Sequence, residues 1–527
     1  MDQPLPDKFS AGACPEVKAA NVRPWFAGNR MRTARTQQFS ATAVKSSRMP
    51  LQNGLKYVAL LLLLSLFSGC RKEMASQAVS SSPADAASVA LWLTKPDKTA
   101  LFAKQNTALH FGNSTNELPI ITVDASQTYQ TMDGFGYALT GGSAMLLHQM
   151  APAARAALLQ ELFGTEGNNI GISYLRLSIG ASDLDDRVFS YDDLPAGQTD
   201  PTLARFSLAP DRQHLIPVLK EILAINPDIK IMGSPWSPPT WMKTNNNSKG
   251  GSLKPEFYDA YAQYFVKYIQ GMSAEGIRID AITIQNEPLH PGNNPSLLML
   301  AEDQTVFVKK SLGPAFKAAN LDTKIIVYDH NADRPDYPIT ILNDPEARKY
   351  VDGSAFHLYG GTIDALSKVH EAHPDKNLYF TEQWIGAPGD FPKDLAWHVE
   401  TLMIGAPRNW AKTVLEWNLA ADPEQNPHTP GGCTECLGAI TIAGNSVTRN
   451  PAYYIVAHAS KFARPGSVRI ASNMPAALPN VAYKTPNGKL VVVVINTGKT
   501  EQAFNISSED KQVTTRLAAG AVGTYVW

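Results

Sequence analysis

Cysteine and unbalanced charge are both scarce in this chain of 527 residues. Only four cysteines occur, at 14, 70, 433 and 436. So few exclude a fold held together by many disulfides, and a large apolar core must do that work instead. Cys433 and Cys436 form a lone Cys-x-x-Cys in a stretch rich in Gly and Pro. No second pair completes a four-ligand structural zinc site, and a thioredoxin-like context is absent. His428 stands close, yet a local disulfide or two free thiols fits these residues better than zinc. Formal net charge is -1, which gives no reason to expect nucleic acid or a polyanion as partner. The apolar run Tyr57 to Phe67 is about eleven residues, short of the roughly twenty that span a bilayer.

That short run has the length of a signal-peptide core. The stretch before it, Met1 to about Pro50, is basic and without periodicity, and we expect it not to be translated in the natural protein. Met49 makes a better start, followed by Lys56, the apolar run, and Ser68-Gly69-Cys70. Leu66 to Cys70 resembles a bacterial lipobox, in which Cys70 would become the lipid-bearing first residue. Phe67 stands where Leu is usual. The alternative is an ordinary cleaved signal peptide with Cys70 incidental. Either way the expectation is export, with a lipid anchor placing the protein in the bacterial envelope, in the periplasm or on the outer membrane surface. Residues 71–88 are rich in Ser and Ala and read as a flexible tether.

Beyond the tether, residues 89–130 carry short apolar runs broken by polar clusters, as in Pro119-Ile-Ile-Thr-Val123, and read as strands. Asp133-Gly-Phe-Gly136 reads as a tight turn. Strand and helix then alternate with short linkers, with strands expected at 172–178, 230–234, 280–287, 324–329, 353–359, 378–382 and 413–418. The helices between include 144–163, 215–225, 255–271 and 301–319. This alternation over about 300 residues argues for an α/β fold, a (β/α)8 barrel over 131–449, and no internal repeat is evident. From 450 to 527 the pattern becomes all-β, with Leu490 to Ile495 and Gly523 to Trp527 as strands. The strands of 89–130 have no partners in a barrel, so they are expected to join this C-terminal β-sandwich.

Two of the barrel strands end on a carboxylate. Ile282-Thr-Ile-Gln-Asn-Glu287 climbs an apolar strand to Glu287 and stops at Pro288; Asn377-Leu-Tyr-Phe-Thr-Glu382 does the same to Glu382. In a βα barrel the C-terminal strand ends carry the chemistry. A glutamate pair facing one pocket equips a retaining glycosidase, one as proton donor and one as nucleophile about 5 Å away. Glu287 suits the donor, beside an Asn286 able to hold the sugar 2-hydroxyl, and the donor needs a raised pKa. Glu382 must stay ionised, which His357 or Arg176 would favour. The blander reading of either Glu is a solvated loop carboxylate. Trp236 and Trp241 sit in a rigid Pro-rich loop and fit core packing as well as sugar stacking. Trp417 at a strand end favours a sugar platform. Arg176, His357 and Tyr359 fit a polar network, a sugar contact, or both.

The chain resembles glycoside hydrolase family 30, in the branch that contains lysosomal glucosylceramidase. The resemblance rests on Gly134-Phe-Gly-Tyr-Ala-Leu-Thr140, Leu175 to Asp183, Ser234-Pro-Trp-Ser-Pro-Pro-Thr-Trp-Met-Lys-Thr244 and Lys249 to Lys254. It continues through Asn286-Glu-Pro288, Phe356-His-Leu-Tyr359, Thr381-Glu382 and Glu416-Trp-Asn-Leu419, in family order across about residues 115 to 527. It implies a (β/α)8 barrel fused to a β-sandwich built from both chain ends. It also implies Glu287 as acid/base, Glu382 as nucleophile, and a sugar subsite lined by Arg176, Trp236, Asn286, His357, Tyr359 and Trp417. No metal or cofactor is implied. Many relatives carry an acidic residue where Gly141 stands here, so Gly141 is expected to leave the far side of the sugar less tightly held unless Asp183 takes over. The Cys-x-x-Cys loop is a second departure, being absent from the lysosomal enzyme.

The expected function is hydrolysis of β-D-glucosidic bonds, in β-glucosides or β-glucans, by a two-glutamate double displacement. The same mechanism on a xyloside, a fucoside, a β-1,6-glucan or a glucosylceramide-like lipid is the alternative. An inactive surface glycan-binding lipoprotein is a third reading, and the presence of both glutamates argues against it. The partner expected is therefore a β-linked glycoside or glucan, with membrane contact only through the Cys70 lipid. Oligomeric state is not legible.

Overall fold

The computed structural model describes residues 88–113 and 116–527. The expected leader, most of the tether and Cys70 lie outside the described residues. Eight parallel strands close into a barrel in chain order: β1 (Gly134–Ala138), β2 (Tyr174–Ser178), β3 (Lys230–Ser234), β4 (Ala281–Thr283), β5 (Lys324–Ala332), β6 (Val351–Gly361), β7 (Asn377–Glu382) and β8 (Ala411–Asn418). Their near-continuous apolar runs follow from burial on both faces, by helices outside and side chains inside. Tyr174, Met232, Ala281, Ile326, Tyr379 and Leu415, from six different strands, cluster as one interior layer. The barrel is thus plugged below, and polar side chains gather above it.

Two expectations at the barrel's ends need correction. The segment expected as a turn at Asp133 to Gly136 is β1, buried along its whole length. Its glycines serve close approach: a Cβ on Gly136 would collide with the Tyr174 carbonyl on the neighbouring strand. The all-β region expected from 450 begins later, because Pro451–Ser460 is a helix. Proline at its first turn suits a helix start. Almost every residue is buried, and the Tyr137 hydroxyl of β1 donates to the Ala452 carbonyl at 2.9 Å. It is the helix that covers the barrel after β8.

The strand Val468–Ser472 opens the C-terminal part of a ten-stranded sheet. Both chain ends build it. Ser88–Thr94 pairs antiparallel with Val522–Val526, and Ile120–Thr131 lies between Val468–Ser472 and Gln502–Ser508. His458, on the helix after β8, bridges Thr94 and Thr524 at 2.8 Å each, tying that helix to the sheet. Burial pushes its imidazole down to about 3, so it is neutral and can donate from one nitrogen and accept at the other. Among the described residues no helix is long and apolar enough to cross a membrane.

Candidate active site

The polar strand ends converge above the barrel. Arg176 is on β2, Ser234 ends β3, Asp329 and His330 lie on β5, His357 and Tyr359 on β6, Glu382 ends β7 and Trp417 lies on β8. Glu287 sits past the end of β4, which stops at Thr283, so the strand expected to run to it is shorter. The loop turns there: Glu287 takes φ 44°, and Tyr328 and Asp329 on β5 take 73° and 66°. Such left-handed backbone is disfavoured for residues other than glycine and collects at sites where side-chain direction matters.

Glu287, Glu382, Asn286, Trp236, Tyr359 and Trp417 line one pocket of about 280 Å³. Arg176 and His357, fully buried, sit beneath it and bond to the carboxylates. All eight expected site residues are therefore brought together. Trp241 is not among them. It packs in the core and its indole donates to the Asp192 carbonyl at 3.0 Å. A roomier cleft of about 630 Å³ lies around Trp92, Lys461 and Arg464, but its one acidic residue is Glu166, so it offers no carboxylate pair.

One buried cation organises the site. Arg176 donates to Glu382 Oε2 at 2.6 Å, Asp329 Oδ2 at 2.8 Å and Asn286 Oδ1 at 2.6 Å. Its guanidinium lies over the Trp236 ring, 4.9 Å from the centroid, and the Trp236 and Trp417 rings are 5.4 Å apart. Tyr359 donates to the other Glu382 oxygen at 3.0 Å. Because Arg176 holds the Asn286 carbonyl oxygen, the Asn286 amide nitrogen is free to face the pocket. His357 Nε2 meets Asp329 Oδ1 at 3.1 Å, while its Nδ1 is 3.2 Å from Glu287 Oε1 and 3.7 Å from Glu382 Oε1. The two glutamates thus reach a single imidazole nitrogen, and cannot be further apart than those two distances laid end to end.

Electrostatics here depart from one expectation. Burial alone would lift Glu287, but the nearby His330 and the hydrogen bond and charge of His357 outweigh it and hold the carboxyl below the usual carboxylate range. Burial raises Glu382 despite the opposing charges of His357 and Arg176. Burial would lower His357, yet the Glu382 charge and the bonds to Asp329 and Glu287 push it up to about 9. So Glu287, the expected donor, does not hold a raised pKa by itself. His357 therefore holds a proton more readily than Glu287, which lies one hydrogen bond away. Glu287, His330 and His357 also place ligand atoms within 4.8 Å of one another, a spacing open to a divalent cation.

Several functional side chains escaped the sequence reading. Asp329 ends the apolar run Ile325-Ile-Val-Tyr328, so the same strand-end rule that found the glutamates pointed to it. It is fully buried and also accepts from Ser234, Thr283 and Thr381 at 2.7, 2.7 and 2.6 Å. Breaking a buried, bonded ion pair costs about 3–5 kcal/mol. Asp329→Ala is therefore expected to lower unfolding free energy by about that much at pH 7, read by urea denaturation. Arg176 and His357 hold its carboxyl well below the ordinary range. Its contribution is thus present at neutral pH and fades only as pH falls through that depressed value, so the gap between the proteins should close only in strong acid. A gap that is small at pH 7 would remove Asp329 from the frame of the site.

The far end of the pocket also differs from expectation. Gly141 does not line it. A Cβ there would run into the Asp185 carboxylate, in a separate hollow. The place expected to be vacated is held by Asp183, buried in the pocket wall, whose carboxyl burial and the Glu382 charge push up to about 6. Cys433 and Cys436 are joined as a disulfide and line the same pocket.

Known proteins match this arrangement. Residues 132–463 fit the profile of the glycosyl hydrolase family 30 TIM-barrel domain, and residues 466–525 that of the family 30 beta sandwich domain. The barrel profile thus takes in the helix Pro451–Ser460. The chain is 36% identical over 406 residues to endo-1,6-beta-D-glucanase neg1 of Aspergillus fumigatus, covering 72% of this chain and 81% of that one. It is 30% identical over 444 residues to lysosomal acid glucosylceramidase of Mus musculus, covering 79% and 84%. A solved endo-β-1,6-glucanase superposes with a TM-score of 0.79 at 37% identity, covering 84% of this chain and 99% of that one.

Proposed function

The chain belongs to glycosyl hydrolase family 30 and is a glycoside hydrolase; from that premise we propose that it cleaves β-1,6-linked glucan internally, with retention at the anomeric carbon. The observation that carries the mechanism is the glutamate pair meeting at His357 Nδ1, 3.2 and 3.7 Å away. That closeness suits the retaining arrangement, in which the carboxyls stand about 5 Å apart. The relatives named as endo-1,6-glucanases support the substrate.

In the first step Glu382 attacks C1 from below. Arg176 and Tyr359 hold its two oxygens so that a lone pair stays aimed at the sugar. The C1–O bond breaks as a proton passes from His357 through Glu287 to the leaving oxygen, which leaves His357 neutral and Glu287 ionised. A glycosyl ester remains on Glu382. In the second step Glu287 takes a proton from water, the water oxygen bonds to C1, and the ester C1–O bond breaks. Asn286 donates to the 2-hydroxyl, a contact that strengthens as C1 gains positive charge. Trp236 and Trp417 form the apolar floor. Asp183 accepts from hydroxyls on the non-reducing side of the ring.

Incubation with linear β-1,6-glucan should release oligosaccharides before glucose, and proton NMR should detect the β-anomer first. Glucosylceramide, β-1,3-glucan and aryl β-xyloside should turn over more slowly. An α-anomer appearing first would rule out the mechanism; faster turnover of glucosylceramide would rule out the substrate.

The pH profile of kcat/KM should be a bell. As pH falls Glu382 gains a proton and cannot attack, and burial places that limb above the usual glutamate range. As pH rises the Glu287–His357 pair loses the proton that the leaving oxygen needs, near the His357 value of about 9. His357→Gln should narrow the bell from both sides. The basic limb falls because Glu287 alone keeps the proton, and the acid limb rises because Glu382 loses a stabilising charge. A basic limb that stays in place would show that His357 does not hold the proton.

We further propose that Cys70 bears lipid and anchors the exported enzyme in the bacterial envelope. The support is the apolar run and its lipobox-like end. Expressed with its leader, the protein should partition into membranes and incorporate labelled fatty acid, and Cys70→Ala should abolish both. Labelling that survives the substitution would overturn the anchor.

A further inference from the structure

We propose that the Cys433–Cys436 disulfide is a positioning element for substrate selectivity. It holds the Cys433 backbone N–H on the Asp183 carboxylate and so sets how tightly the 4-hydroxyl side of the sugar is bound. The inference rests on the role given above to Asp183.

The argument begins with what the loop touches. The Cys433 N–H donates to Asp183 Oδ2 at 3.3 Å, and both cysteines face the pocket. The disulfide packs among Trp236, Trp417 and Trp384, so it is part of the wall around the bound ring. The two ends of the loop are pinned to different parts of the site. On one side the Thr429 N–H donates to the Asp183 carbonyl at 2.8 Å, and its hydroxyl donates to the Asn294 carbonyl. Gly432 follows so closely that a Cβ there would collide with the Asp183 carbonyl. On the other side Cys436–Leu437 pairs with Ile385–Gly386, three residues beyond the nucleophile, and the Ala387 N–H donates to the Glu435 carbonyl at 2.8 Å. Cys433 itself has no such ladder. The covalent bond carries it across from the anchored Cys436 and keeps its N–H on the carboxylate.

The bond closes a ring spanning a sequence separation of only three residues. Disulfides that stabilise whole folds do so mainly by closing long loops, so this one is poorly suited to that purpose. Its effect should be local, on a carboxylate that would otherwise be buried with weaker support. A charge-assisted hydrogen bond orients its acceptor, and a pocket built to bind a hydroxyl loses discrimination when the acceptor drifts. The titratable groups facing Asp183 are Glu382, Asp185 and Tyr359. None of them is a cation, so the Cys433 N–H and the Asn293 side chain are its stabilising neighbours.

The test uses the full chain, oxidised and reduced. One dithiothreitol molecule gives two electrons and two protons to the disulfide, leaving two thiols and the cyclic disulfide of the reagent. Peptide mapping of a quenched sample confirms the state of Cys433 and Cys436. Reduction should lower kcat/KM for an aryl β-glucoside about tenfold, mostly through KM. It should change the 4-deoxy glucoside by less than about twofold, since that sugar lacks the hydroxyl concerned. The Cys433→Ala/Cys436→Ala protein should behave as the reduced enzyme and ignore dithiothreitol. In Asp183→Asn, oxidised and reduced enzyme should discriminate alike. A proportionate loss on both substrates, with a matching fall in Tm, would make the disulfide merely structural and overturn the proposal. So would unchanged kinetics. If Asp183→Asn keeps wild-type discrimination against the 4-deoxy sugar, it is the Asp183 reading that fails instead.

Discussion

Glu382→Gly should lower kcat/KM on β-1,6-glucan by roughly 10⁴-fold or more, the scale seen when a covalent nucleophile is removed. Its carboxylate has no substitute in the pocket. Asp183 is committed to the wall and Asp329 lies fully buried beneath the floor. A 2-deoxy-2-fluoro glycoside with a good leaving group should trap wild-type enzyme as an ester on Glu382, because the fluorine slows both steps while the reactive leaving group restores only the formation of the ester. Azide should restore part of the activity of Glu382→Gly. It enters the space left by the side chain, attacks C1 from below and gives the α-glycosyl azide. An ester on another carboxylate, or rescue that gives the β-azide, would overturn the assignment. Part of the loss should come from Arg176. Its salt bridge to Glu382, at 2.6 Å, leaves a buried cation short of one partner when Glu382 is gone. Measuring Tm alongside rate separates that cost from the chemistry.

Glu287→Ala should cut hydrolysis of glucan by about 10²- to 10⁴-fold, the range for general acid–base catalysis. The loss must depend on the leaving group. A sugar alkoxide departs only with a proton, whereas a dinitrophenolate leaves without one. The first step on the dinitrophenyl glycoside should therefore be nearly as fast as in wild type, with ester hydrolysis becoming limiting. Azide then attacks the ester from above without needing a base, and the product is the β-glycosyl azide. Equal losses on activated and unactivated substrates would remove Glu287 from this role. The variant also frees His357 Nδ1 from its 3.2 Å contact, so the basic limb should disappear from the residual activity rather than shift.

The two glutamates and the residues around them were legible because each ends or follows an apolar run at a strand end, and parallel strands announce themselves by continuous burial. Asp329 obeyed the same rule in Ile325-Ile-Val-Tyr-Asp329 and was passed over. A strand-end carboxylate reads alike whether it faces a substrate or a buried arginine. β1 was missed because glycine-rich sequence has two causes, a turn or the close approach of a neighbouring strand. Here the Tyr174 carbonyl decides for the second. The helix Pro451–Ser460 was missed for a related reason. It is apolar on nearly every side and carries little periodicity to separate it from strands.

The sequence alone determined the alternation of strand and helix, the order in which the polar strand ends follow one another, and the chemistry those residue types offer. These are local properties, set by periodicity and by what each side chain can donate or accept. Only the tertiary structure decided which charges share a neighbour. His357 lies 70 residues from Glu287, and Cys433 lies 250 residues from Asp183. Nothing in either segment announces the contact. The raised basicity of His357 beside a lowered Glu287, the retreat of Gly141 from the pocket, and the arrival of Asp183 with a disulfide behind it depend on burial and on distances of about 3 Å, where electrostatic effects are strongest. Barrel closure creates those distances by bringing strand ends from the whole chain into one low-dielectric pocket.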